Sequence, residues 1–111
     1  MAKRDYLGNF ELIVMLSLMR LQENAYGVPI SREIEETTGR EVALASVYAT
    51  LERLESKGLV RSDLGEPTPE RGGRAKKYFH ITARGLREVR EARRVLRKLW
   101  ERLPQLEGGT V

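Results

Sequence analysis

The segment LGNFELIVMLSLMRLQ (residues 7–22) sets Phe10, Ile13, Val14, Leu18 and Leu21 at helical spacing, while Leu12, Met15, Leu16 and Met19 cover much of the remaining circumference. A short helix that is apolar nearly all round must be buried on two sides. In so small a chain, the second side is expected to be a partner copy. AYGVPISREIEETTG (25–39) predicts a second helix: Gly27 marks the turn, Pro29 suits a first helical turn, and Ile30 and Ile34 face inward four residues apart. Gly39 reads as its C-terminal stop. In REVALASVYATLERLESKG (40–58), Leu44, Val47, Leu51 and Leu54 share one face and Gly58 closes the helix. Two helices joined by a turn around Gly39 and Arg40 outline a helix-turn-helix.

Beyond Gly58 the period changes from helical to alternating. LVRSDL (59–64) and AKKYFHIT (75–82) predict two strands, with Lys77, Phe79 and Ile81 on one face of the second. GEPTPERGGR between them breaks every regular pattern, so the pair reads as a hairpin with a long tip. Thr82 is a suitable N-cap for a last helix over 83–103, where Val89, Ala92, Leu96, Leu99 and Leu103 form a heptad-like seam. Val95 and Trp100 widen that stripe, and the seam is too short to stand without a partner. The predicted fold class is mainly α with a small β-hairpin: a winged helix-turn-helix over 1–82, a C-terminal dimerisation helix over 83–103 and a flexible tail over 104–111.

Composition narrows the chemistry. The chain has 111 residues and no cysteine, which removes disulfides and thiolate metal sites. Its longest apolar run, Leu12 to Leu16, is far too short to span a bilayer, and no secretory leader is apparent, so a soluble cytoplasmic protein is expected. The net charge of +4 is unevenly spread: residues 71–102 hold twelve Lys or Arg against three Glu, a balance of +9. Such asymmetry points to a polyanionic partner.

His80, the only histidine, lacks the companions of a zinc site, so no metal or other cofactor is expected. No sequence context marks a nucleophile, so catalysis is not expected. The stretch PERGGRAKKYFHIT offers glycines beside basic residues, yet no Gly-Lys-Ser/Thr follows and the segment opens a strand rather than a helix, which excludes a nucleotide-binding P-loop.

The segments LGNFELIVMLSL, AYGVPISREIEETTGREV, SVYATLERLESKGLV, ERGGRAKKYFHITARG and LRKLW together resemble the PadR-type transcriptional regulators, in their short subgroup with one C-terminal helix. The resemblance runs from about Leu7 to Leu103 and implies a homodimeric DNA-binding regulator, usually a repressor, that joins through its first and last helices. On that basis Phe10, Val14, Leu18, Val89, Leu96, Leu99, Trp100 and Leu103 are expected at the dimer interface.

With Val47, Leu51 and Leu54 inward, the third helix turns Ala45, Ala49 and Glu52 outward, flanked by Ser46, Tyr48 and Arg53. Small residues there let a helix backbone sit deep in a major groove. Ser46 and Tyr48 can donate to phosphate or base edges, and Arg53 can clamp phosphate or guanine. Alternatively, Tyr48 packs half-buried and Arg53 pairs with a nearby glutamate on its own helix. Arg71, Arg74, Lys76 and Lys77 on or beside the hairpin tip are suited to phosphate contact. The expected partner is a pseudo-palindromic operator in double-stranded DNA, read by two recognition helices. The resemblance also implies room between subunits for a small aromatic or hydrophobic effector, which Met15, Met19 and Trp100 would line. The rival function is a winged helix that binds an acidic protein, or that sequesters small ligands, without reading DNA.

Overall fold

A computed structural model describes residues 6–66 and 75–106. Helices α1 (Asn9–Leu21), α2 (Gly27–Thr38) and α3 (Leu44–Ser56) are followed by strands β1 (Val60–Leu64) and β2 (Lys77–Ile81), then by helix α4 (Ala83–Trp100). The strands pair antiparallel, with Val60 opposite Ile81 and Leu64 opposite Lys77. Three helices plus a hairpin and a C-terminal helix is the architecture that the hydrophobic pattern predicts.

The core gathers one face from each element. Val14, Met15 and Leu18 of α1 meet Ile30 and Ile34 of α2 and Val47, Leu51 and Leu54 of α3. Phe79 closes it from the hairpin and Val89 from α4. The hairpin is also tied by its backbone, since the Phe79 amide donates to the Ala25 carbonyl at 2.8 Å. Alternation along β2 buries Phe79 and leaves Lys77 exposed on the same strand face, beyond the edge of the core.

Local chemistry sets the boundaries. Gly39 ends α2 at φ 76°, a left-handed conformation that glycine adopts without a Cβ clash. Thr82 caps α4 by accepting from the Gly85 amide at 3.0 Å, and its hydroxyl donates to the Gly58 carbonyl at 2.7 Å. One side chain thus fixes the start of α4 against the end of α3.

Three expectations change. The last helix stops at Trp100 rather than Leu103. The ring of Pro104 would clash with the carbonyl four residues earlier, at Trp100, and Pro104 disfavours a helical Leu103. Gly27 is the first residue of α2 and not its preceding turn. Its lack of a side chain answers a packing need, because a Cβ there would overlap the ring of Tyr48. Finally, Val14, Met15 and Leu18 are 0 %, 0 % and 2 % exposed within the single chain. They face α2 and α3 and have no surface left for a partner subunit or an effector.

The tip glycines Gly72 and Gly73, with Arg71 and Arg74, lie outside the described residues, as do residues 107–111 of the predicted tail.

Candidate nucleic-acid interface

Burying Val47, Thr50, Leu51 and Leu54 turns the opposite arc of α3 to solvent. Ala45, Ser46, Ala49, Glu52 and Arg53 are all exposed on it. The arc is smooth at Ala45 and Ala49, so the helix axis can approach a groove floor closely, and polar groups flank it. Ala43, the N-cap residue, is extended at φ −69° and ψ 135° and offers no side-chain cap, leaving the first amides of α3 available to an acceptor.

Tyr48 is half-buried. Its ring lies over the start of α2, against Gly27, and so bridges the two helices of the helix-turn-helix. Packing and solvent access coexist there: the tip of the ring sits against Gly27 while the residue as a whole stays partly exposed.

Arg53 is oriented by its own chain. Its guanidinium donates to Thr50 Oγ1 at 3.1 Å, and its Nε lies 3.9 Å from Glu11 Oε2. The glutamate beside it therefore comes from α1, not from α3. Glu11 also accepts from the Gly8 amide at 2.8 Å and from Lys57 Nζ at 2.9 Å. Burial opposes the charged carboxylate, but the Gly8 amide, the Lys57 ammonium and the Arg53 guanidinium outweigh it and hold its pKa below the ordinary glutamate value. Sequence reasoning missed this residue. The available signal was a lone acid three positions into an otherwise apolar helix, where a carboxylate can reach back to the first amide.

The end of the hairpin that leads into its loop is cationic and aromatic. Lys76 Nζ lies 4.7 Å from the Tyr26 ring centroid, and Tyr26 meets Tyr78 edge-to-face at 5.4 Å. Lys77 Nζ stands 5.6 Å from the Phe79 centroid and 3.9 Å from Glu55 Oε1. These contacts set both ammonium groups against aromatic rings while leaving them near solvent. His80 Nε2 lies 3.1 Å from Asp63 Oδ2, a cross-strand pair; among the described residues no cluster of three or more metal-ligating side chains exists.

The proposed effector residues do not meet within one chain. Met15 is in the core, Met19 lines a groove with Ile13, Leu16 and Thr37, and Trp100 projects from the far end of α4. Of the expected dimer residues, Phe10 and Leu96 are half-buried, and Val89 is buried against the core. Leu103 is half-buried just past the helix, whereas Leu99 and Trp100 are 66 % and 55 % exposed. An apolar groove lined by Tyr6, Leu7, Leu12, Ala92, Val95 and Leu96 runs between the start of α1 and the middle of α4. No described helix is long and apolar enough to cross a membrane.

Comparison with known proteins agrees with this layout. A protein of Lysinibacillus sphaericus described as Uncharacterized protein X is 31 % identical over 88 residues, covering 77 % of this chain and 76 % of its own. The crystal structure of a PadR family transcriptional regulator from Eggerthella lenta is 30 % identical, with a TM-score of 0.68 over 88 % of this chain and 83 % of that one. A PadR-like transcriptional regulator from Bacillus cereus shares the fold at a TM-score of 0.71 and 23 % identity, over 91 % of this chain and 93 % of its own. Residues 15–91, from the middle of α1 to α4, match the model of the transcriptional regulator PadR-like family. With its winged-helix DNA-binding fold and that match over most of its length, the chain belongs to the PadR-like family of transcriptional regulators.

Proposed function

We propose that this chain acts as a homodimeric repressor that reads a pseudo-palindromic DNA operator. Two α3 helices enter successive major grooves, and the hairpins rest on the flanking backbone. The observation that carries this reading is the exposed arc of α3, where Ala45 and Ala49 leave the helix free to approach bases while Ser46, Tyr48 and Arg53 supply donors. Lys76 and Lys77 beside the hairpin loop, together with Arg71 and Arg74, add phosphate contacts that orient the protein without reading sequence. Dimerisation uses Leu99 and Trp100 with the groove between α1 and α4. A small hydrophobic effector would occupy the space that forms when two copies close over Trp100 and Met19, and would act by favouring one angle between the subunits over another.

Selection of bound sequences from a random duplex pool, followed by mobility shifts across a salt series, tests the reading. Enrichment of a two-fold symmetric site whose half-sites lie about one helical turn apart is expected. Binding should weaken steeply with salt as bound phosphates regain their counterions. A pool that yields no enriched motif, or a flat salt response, overturns it.

A further inference from the structure

Helix α4 carries a second charged surface that the winged-helix reading does not use. Its apolar side, with Gly85 and Val89 buried, faces the body of the protein. On the opposite side Arg87, Arg90, Arg93, Arg94, Arg97 and Lys98 are all exposed. Among them only Arg94 has an ion-pair partner among the described residues, Glu91, at the margin of the face. Arg90 with Arg94, Arg93 with Arg97, and Arg94 with Lys98 are like charges four residues apart, each pair mildly destabilising to an isolated helix. The helix therefore accepts self-repulsion that a bound polyanion would relieve.

We propose that this face of α4 is a second, sequence-independent binding surface for duplex DNA, rather than one for an acidic protein or a lipid headgroup layer. The face is rich in arginine, whose planar fork matches phosphate oxygens. It contains no apolar or aromatic side chain of the kind that forms the dry centre of a protein–protein interface. A helix that lies on a membrane needs its apolar side free to enter the lipid; here Val89 is buried in the protein's own core, and the exposed Leu99 and Trp100 are assigned to the partner subunit. Helix α1 packs against both α3 and α4, which make no comparable contact with each other. The cationic face and the exposed arc of α3 belong to two different helices, and the surface on α4 takes a separate DNA segment. Once both subunits are joined through their apolar surfaces, the cationic faces stay outward and the dimer can hold two stretches of duplex together.

The inference rests on the DNA-binding reading above, and the experiment separates the two. The parent chain, a variant carrying Ala49→Glu on α3, and a variant carrying Arg90→Gln, Arg93→Gln and Arg97→Gln are compared. Each is titrated with a fluorescently labelled random 30-bp duplex over a salt series, and with mixed donor- and acceptor-labelled duplexes to detect bridging. Glutamine is a good helix former, and circular dichroism verifies that each variant retains its helices. The triple variant is expected to lose bridging, and its log affinity against log salt should flatten by about 0.9 for each phosphate contact removed. Ala49→Glu should keep the α4 contribution, so random duplex still raises its melting temperature. If the triple variant matches the parent in slope and bridging, the inference is overturned. Tighter binding of the parent to phosphatidylserine vesicles than to duplex overturns it as well. Duplex binding that survives Ala49→Glu unchanged but vanishes in the triple variant would uphold the α4 surface and remove the proposed role of α3.

Discussion

The carboxylate of Glu11 and the ammonium of Lys57 meet at 2.9 Å and join the first turn of α1 to the residue that caps the C-terminal end of α3. Glu11 is only 8 % exposed, and its second neighbour, Arg53, stands on the DNA-facing arc of α3. A helix proposed to meet a partner subunit and a helix proposed to read DNA are thus connected through one carboxylate. A change in the tilt of α1 would reach both Lys57 and Arg53 through it.

This carboxylate gives the fold a specific acid sensitivity. The pKa of Glu11 is depressed in the folded chain, so the unfolded chain binds the proton more readily. The stabilisation is complete above the unfolded value of about 4.3 and is lost as pH falls through the lower folded value. Glu11→Gln should cost about 1–3 kcal/mol at pH 7, because a neutral amide replaces the carboxylate charge that pairs with the Lys57 ammonium. Urea denaturation of parent and variant should show that gap closing below about pH 4. A gap of equal size at pH 7 and pH 3 would mean that the charge on Glu11 contributes nothing.

Two glycines should respond differently to the same substitution. At Gly85 an added Cβ would overlap the Leu59 carbonyl, a backbone group that cannot swing aside. Gly85→Ala should therefore cost about 1–3 kcal/mol, the usual range for overpacking. At Gly27 the obstacle is the tip of the Tyr48 ring, which can rotate outward. Gly27→Ala should be milder in thermal melts but should weaken operator binding, since it displaces Tyr48 from the arc of α3. Equal melting losses with unchanged DNA affinity would argue that Tyr48 only packs.

What was legible in the sequence was whatever depended on local chemistry. Ile30 and Ile34, Gly39, and the cap at Thr82 each follow from a spacing or a backbone preference within a few residues. The phase of α1 was not legible, because a helix apolar nearly all round gives no preferred inward face. Whether Met15 or Leu16 is buried depends on where α2 and α3 come to rest. Arg53 illustrates the same limit: glutamates near it in sequence suggested a partner on α3, but the chain folds Glu11 beside it. The end of α4 at Trp100 was readable in principle, since Pro104 acts on the carbonyl four residues before it.

Glu52 occupies the middle of the α3 arc, exposed between Ala49 and Arg53. Against phosphate it repels, whereas against cytosine its carboxylate can accept from the exocyclic amine in the major groove. Glu52→Gln should therefore raise affinity for random duplex by about two- to tenfold while reducing preference for the selected operator. Competition of labelled operator against random duplex measures both effects together. Unchanged values for both would place this part of α3 away from the bases.

The two most exposed large apolar residues at the end of α4, Leu99 and Trp100, give the clearest test of association. Leu96 is a poorer target, because it is half-buried in the groove beside Leu7 and Leu12 and a charge there would disturb its own chain. Leu99 is 66 % exposed in the single chain, so Leu99→Asp removes little that the protomer needs for folding. In a dimer joined at this face, that carboxylate would be buried without a partner, which costs far more than a surface substitution. Sedimentation equilibrium should show a dimer for the parent and the monomer mass for Leu99→Asp, with similar helical content in both. Trp100 is the only tryptophan, so its emission reports on the same surface: dilution through the dissociation range should move it to longer wavelength as the indole meets water. An unaltered dimer mass in Leu99→Asp, with concentration-independent emission, would move the interface elsewhere. Leu16, exposed on the outer side of α1, would then be the next position to change.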